Sequence, residues 1–174
     1  NLYKLEFSTK GAILKSIKFK NFLDKDKKEI ELTPIIEPNA SPLLYQIENL
    51  NLGPDYVYTE GKDGSLIFTQ EDANIKVDKQ FVLNPDQFDI KVNITITNKT
   101  TKEVSSKDSF KWAKSAGPFL VPEKRSSYDE EFNVSFYDRQ LKSEEKFSSE
   151  VVEKTANIDW IALDNRYFFI SIIP

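Results

Sequence analysis

The sequence predicts an all-β sandwich of antiparallel strands, and three observations carry that prediction. Apolar side chains recur at every second position through most of the chain, the spacing of half-buried strands. Turn residues punctuate it about every 8–12 positions, the rhythm of a sandwich. Thirteen Phe, seven Tyr and two Trp supply the flat side chains that suit a pleated, half-covered surface.

The elements follow in order. Tyr3, Leu5 and Phe7 alternate with Lys4 and Glu6, and Thr9-Lys10-Gly11 ends that strand. Ile13, Ile17 and Phe19 are expected to share the next inner face, with Lys18 and Lys20 outside. Asp24 to Lys28 reads as a solvated hairpin tip rather than a metal loop. Glu29–Thr33 is a short strand that runs into Pro34, Pro38 and Pro42. These prolines mark a sheet edge or a crossing connection, because proline has no N–H for a ladder. Leu43–Ile47, Tyr56–Thr59 and Leu66–Thr69 are further strands, with Lys62-Asp63-Gly64-Ser65 as the turn between the last two.

The strongest alternation spans 75–98. Ile75, Val77, Phe81 and Leu83 oppose Lys76, Asp78 and Gln80. After the turn at Asn84-Pro85-Asp86, Phe88, Ile90, Val92, Ile94 and Ile96 oppose Asp89, Lys91, Asn93, Thr95 and Thr97, and Asn98–Lys102 turns the chain again. Residues 110–122 read as a strand and a loop bearing exposed apolar groups. A strand through Phe132, Val134 and Phe136 reaches about Asp138. Ser143–Lys154 is the one stretch that reads as a short helix.

At 174 residues the chain can bury a real core, and residues 1–174 are expected to form one sandwich domain. The net charge of −4 argues against a nucleic-acid module, which needs a basic face. With no Cys there is no disulfide scaffold and no thiolate. With no His the commonest neutral-pH base and zinc ligand is gone. No phosphate-cradling glycine loop, nucleophile elbow or spaced acid pair appears, so no catalytic, cofactor or metal residue is assigned. No run approaches the roughly 20 apolar residues of a membrane span. A chain that opens Asn1-Leu2-Tyr3 and closes Ile172-Ile173-Pro174 reads as a piece of a longer protein.

The least generic stretch is Ile158–Pro174, which holds Trp160, Tyr167, Phe168 and Phe169 around an Asp164-Asn165 turn. Two readings stand. These aromatics are core packing of a final strand pair, or Trp160 and Tyr167 line a groove or face a partner. The candidate contact residues are Trp112, Trp160, Arg166 and Tyr167.

That closing pattern, Trp160 through Arg166-Tyr167-Phe168 to Ile173-Pro174, resembles the end of the large periplasmic domain of YidC-type membrane protein insertases. Three upstream segments agree with the family in order: Thr9 to Ile17, Ile75 to Leu83 with Lys79 before Phe81, and Phe88 to Asn98. The resemblance implies a β-supersandwich like that of galactose mutarotases, in the periplasm of a Gram-negative bacterium. It implies attachment to the inner membrane through transmembrane helices outside this sequence, and further strands after Pro174. It implies a non-enzymatic role, without cofactor, in inserting and folding membrane proteins. The implied partners are Sec translocon components, SecDF among them, and nascent membrane proteins. Two other functions fit the same sandwich. One is a carbohydrate-binding or mutarotase-like module using Trp112, Trp160 and Tyr167 as stacking rings, and the other is a carrier of lipid or peptide.

Overall fold

The computed structural model describes residues 2–24, 26–32, 43–48, 52–111, 133–139, 141–144, 158–164 and 169–174. Every regular element among them is a strand: β1 (Tyr3–Ser8), β2 (Ile13–Leu23), β3 (Glu29–Glu31), β4 (Leu44–Ile47), β5 (Val57–Glu60), β6 (Leu66–Glu71), β7 (Ile75–Leu83), β8 (Ile90–Asn98), β9 (Asp108–Lys111), β10 (Asn133–Tyr137), β11 (Leu141–Glu144), β12 (Trp160–Asp164) and β13 (Phe169–Ile172). All their pairings are antiparallel. The all-β class expected from the alternation is the observed one. The chain divides into two compact units, Asn1–Val121 and Pro122–Pro174.

Unit 1 holds a three-stranded sheet (β1-β2-β3), a four-stranded sheet (β5-β6-β7-β8) and a ribbon of β4 and β9. Their inner faces meet through aromatic rings. Phe7 of β1 lies 4.7 Å from Phe81 and 6.0 Å from Phe68, and those two rings pack edge-on at 5.7 Å. Ile75, Val77 and Phe81 on β7 are buried, as the alternation requires. Each such side chain contributes about 1.5–3 kcal/mol before chain entropy is subtracted. At one end of the unit the Tyr3 hydroxyl donates to the Asn84 carbonyl at 2.8 Å. At the other, Gly11 takes φ +76 and its N–H donates to the Pro54 carbonyl at 2.7 Å. That left-handed conformation favours glycine.

Three sequence expectations shift. The inner face of β2 carries Leu14, Ile17 and Phe19, not Ile13. The register slips between Glu6 and Phe7, so Glu6 meets Ser16 while Phe7 meets Leu14. Lys15 is the extra residue of a β-bulge, which inverts the phase of everything before it and turns Ile13 toward the face of Ser8. Strand β9 begins at Asp108, two residues ahead of the expected start, because Asp108 and Ser109 pair with Ile47 and Gln46. The helix expected over Ser143–Lys154 loses its start: Ser143 and Glu144 sit in β11, paired with Ser135 and Val134. Residues 145–154 lie outside the described residues.

Unit 2 contains one sheet in the order β11-β10-β12-β13. Tyr137 stands opposite Trp160, Phe136 opposite Ile161, Ile161 opposite Ile172 and Asp164 opposite Phe169. One face therefore carries Tyr137, Ser135, Trp160, Ala162, Phe169 and Ser171. The other carries Val134, Phe136, Ile161, Leu163, Ile170 and Ile172.

Candidate functional site

Strands β10, β12 and β13 build an aromatic row in unit 2. Trp160 opens β12 directly opposite Tyr137, the last residue of β10. Their rings stack with centroids 6.2 Å apart and planes only 8° from parallel. Phe169 lies opposite Asp164, four positions further along, which is about 13 Å of strand. Its ring nevertheless stands edge-on to Trp160 at 6.1 Å and 69°. Two large rings so far apart along the backbone meet only by leaning over what lies between, here Ala162. That accounts for the burial of Ala162 at 2% exposure and of neighbouring Ser135. Ala162 and Ser135 are thus a floor and the rings a roof, while Ser171 stays exposed. The roof is open to solvent: Phe169 is 59% exposed and Tyr137 36% exposed, with Ile173 just beyond at 73%. Such pairs are worth about 0.5–1.5 kcal/mol beyond area burial, yet most of Phe169 is left uncovered.

Of the four candidate contact residues, Trp160 is placed, half-buried inside this row. Trp112, Arg166 and Tyr167 lie outside the described residues, as does Phe168. Of the two sequence readings, the one that packs Phe169 in the core is corrected by its exposure. Neither singled out Tyr137 at all. The one signal for Tyr137 is phase: it falls on the face of Asn133 and Ser135, opposite Val134 and Phe136. No cluster of acids that could hold a metal ion occurs among the described residues. The row offers apolar area and π-faces, which suit recognition rather than bond making.

A second feature lies in unit 1, at Lys79, which the sequence reading marks only by its place before Phe81. Lys79 stands in phase with Val77 and Phe81 on the inner face of β7, opposite Phe68 and Ile94, and is fully buried. Its amine donates to the carbonyl of Leu43, just ahead of β4. It lies 5.2 Å from the Phe81 ring centroid and 5.8 Å from that of Phe110 on β9. Two ring contacts favour an ammonium by about 0.5–2 kcal/mol each. Burying an ion costs several kcal/mol even after relaxation, so burial wins. It pulls the Lys79 amine down to about 7. The signal was in the alternation, where a lysine occupies an inner position.

The opposite face of the same sheet is polar and internally satisfied. Asn93 donates to Gln80 at 3.1 Å, Gln80 to Ser65 at 2.9 Å, and Ser65 to Asp63 at 2.6 Å. Asp78 accepts from Thr69 at 2.5 Å and from Lys76 at 2.7 Å. Burial alone would raise the Asp78 carboxyl, but the bonds from Lys76 and Thr69 outweigh it and hold it below the usual range.

Comparison with known proteins decides what this architecture belongs to. The model of the family described as YidC periplasmic domain matches residues 1–174. The chain belongs to the YidC periplasmic domain family. Three curated relatives, each named membrane protein insertase YidC, agree. The one from Syntrophus aciditrophicus is 24% identical over 190 residues, covering 99% of this chain and 34% of its own length. The one from Maridesulfovibrio salexigens is 22% identical over 195 residues, with 99% and 34% covered. The one from Polynucleobacter asymbioticus is 27% identical over 200 residues, with 99% and 35% covered. The chain thus spans about a third of the length of the relatives it matches. No solved structure matches it. Among the described residues no helix is long and apolar enough to cross a membrane. Lys79, which the YidC resemblance placed ahead of Phe81, is the buried amine of β7.

Proposed function

We propose that residues 1–174 work as one non-enzymatic, protein-contacting periplasmic domain of a membrane protein insertase in the inner membrane of a Gram-negative bacterium. The family match over the whole chain carries this reading. The open row of Tyr137, Trp160 and Phe169 supports contact as the mode of action, because it presents apolar and aromatic area without a catalytic group. The partners on this reading are Sec translocon components, SecDF among them. Nascent membrane proteins are reached through the full-length insertase, which also assists their folding.

The test uses the full-length parent protein carrying Phe169→Glu. Phe169 is mostly exposed, so the melt should move little, within about 0.5 kcal/mol. Insertion of membrane substrates or co-purification of Sec components should fall, because a charge on the row disfavours apolar contact. Unchanged insertion and unchanged co-purification, with the protein folded, would remove the row from the function.

A further inference from the structure

The least expected group in unit 1 is the Lys79 amine, and its surroundings give it a role beyond packing. It bridges two substructures. Its strand is interior to the β5–β8 sheet, while its hydrogen-bond acceptor, the Leu43 carbonyl, leads into the β4–β9 ribbon. Leu43 itself is buried and holds φ +61, a conformation that branched side chains rarely adopt. The ribbon's own ring, Phe110, packs on Tyr45 at 5.0 Å and flanks the amine. Lifting the ribbon would release Leu43 and bring water to Nζ.

We propose that Lys79 is a proton-sensitive latch, which holds the β4–β9 ribbon on the β5–β8 sheet as an uncharged amine and favours the lifted ribbon once protonated.

Among the described residues, the groups around it leave the titration to Lys79. On the ribbon, buried Tyr45 and exposed Asp108 share a face by register, and they are tied to each other by the Tyr45 hydroxyl donating to the Asp108 carboxylate at 2.9 Å. Burial, then that bond, push the Tyr45 phenol above its ordinary range, and burial raises Tyr56 in the segment before β5. From β6 and β8 the facing partners are Phe68 and Ile94, which carry no charge. From β5, Tyr58 and Glu60 share the inner face by register, and Glu60 is exposed. From the β1–β3 sheet the inward residues are Leu5, Phe7, Leu14, Ile17 and Phe19, with Tyr3 at the far end. On β7 itself, Lys76 and Asp78 pair with each other on the opposite face. Burial alone accounts for the lowered Lys79 amine. The sequence has no His and no Cys, so the side chains that ordinarily titrate between about pH 6 and 9 are missing from the chain.

The sign follows from linkage. The lifted form binds the proton with an ordinary lysine affinity, near 10.4, and the closed form near 7. Protons therefore favour lifting as pH falls from about 10 to 7, about tenfold per unit, and the effect levels off below 7.

Native-state hydrogen exchange on the 174-residue chain tests this, read at the amides of Leu44–Ile47 and Asp108–Lys111 from pH 6 to 9.5. The opening constant, corrected for intrinsic exchange, should fall about tenfold per pH unit above 7 and stay flat below it. In Lys79→Met that slope should vanish, while the α-amino group, the other group that ordinarily titrates here, remains. If the variant does not fold, titration of the Lys79 Nζ resonance in the wild-type chain decides: a midpoint near 7 supports the latch. A pH-independent opening constant, the same slope in Lys79→Met, or a Lys79 midpoint near the ordinary lysine value would overturn it.

Discussion

The β7 strand of unit 1 and the β12–β13 pair of unit 2 are written in similar alternation but end in opposite environments. On β7 the inner row of Ile75, Val77, Lys79 and Phe81 is buried, with a second sheet's Phe7 against it. In unit 2 the row of Tyr137, Trp160 and Phe169 roofs only small residues and stays open above. Alternation states which side chains share a face. It does not state whether another layer covers that face, since cover comes from residues far away in sequence. A covered row carries stability and tolerates even a lysine at a cost. An open row carries little stability and is free to recognise something else.

The sharpest way to break that contrast is truncation in each row. Phe81→Ala, at a fully buried ring touching Phe7 and Phe68, should cost about 3–5 kcal/mol in a denaturant melt. Phe169→Ala, at a mostly exposed ring, should cost less than about 1 kcal/mol. Equal losses would mean that the two faces are alike after all.

Lys79→Met comes next in size, through its dependence on pH. The Lys79 amine is lowered on folding, so the unfolded chain holds the proton more tightly. The native state is penalised as pH falls from about 10 to 7, by about 1.4 kcal/mol per unit. The stability of the variant relative to wild type should therefore rise across that window as pH falls and level off below 7. Parallel pH–stability curves for the two proteins would contradict a buried amine.

Trp160→Ala should fall between, at about 2 kcal/mol, because the ring is half-buried and keeps its stack on Tyr137. The smallest effect is expected from Asp78→Asn on the outer, polar face, at about 0.5–1 kcal/mol at neutral pH. The Asp78 carboxyl is lowered on folding, so its contribution is complete above the ordinary carboxylate range and lost as pH falls below it. An acid titration of both proteins, with curves that converge as pH falls below the ordinary carboxylate range, checks it.

The sequence made much of the fold legible and little of the site. The β7–β8 hairpin could be read because both strands alternate cleanly and Asn84-Pro85-Asp86 marks the turn. The face of β2 before its bulge could not be read, since one extra residue at Lys15 inverts the phase and leaves no compositional trace. Only the start of the helix expected from Ser143 is corrected: short polar runs fit strand and helix templates alike, and pairing with β10 puts Ser143 and Glu144 in a strand. Lys79 was visible at an inner position but was passed over, because a charge on an apolar face is normally a break in the pattern. The aromatic row depends on the pairing of Tyr137 with Trp160 and on the lean of Phe169 across Ala162. Neither is local in sequence. Trp160 was legible as a candidate because it is one of only two tryptophans, whereas Tyr137 is one of seven tyrosines.

The most direct measurement is site-specific photocrosslinking in the full-length parent protein, with the probe at Phe169 and, as control, at Thr95 on the polar face of β8. The open aromatic row predicts adducts to another protein from position 169 and none from position 95. Absence of adducts at 169, or the same adducts from both positions, would contradict a contact role for the row.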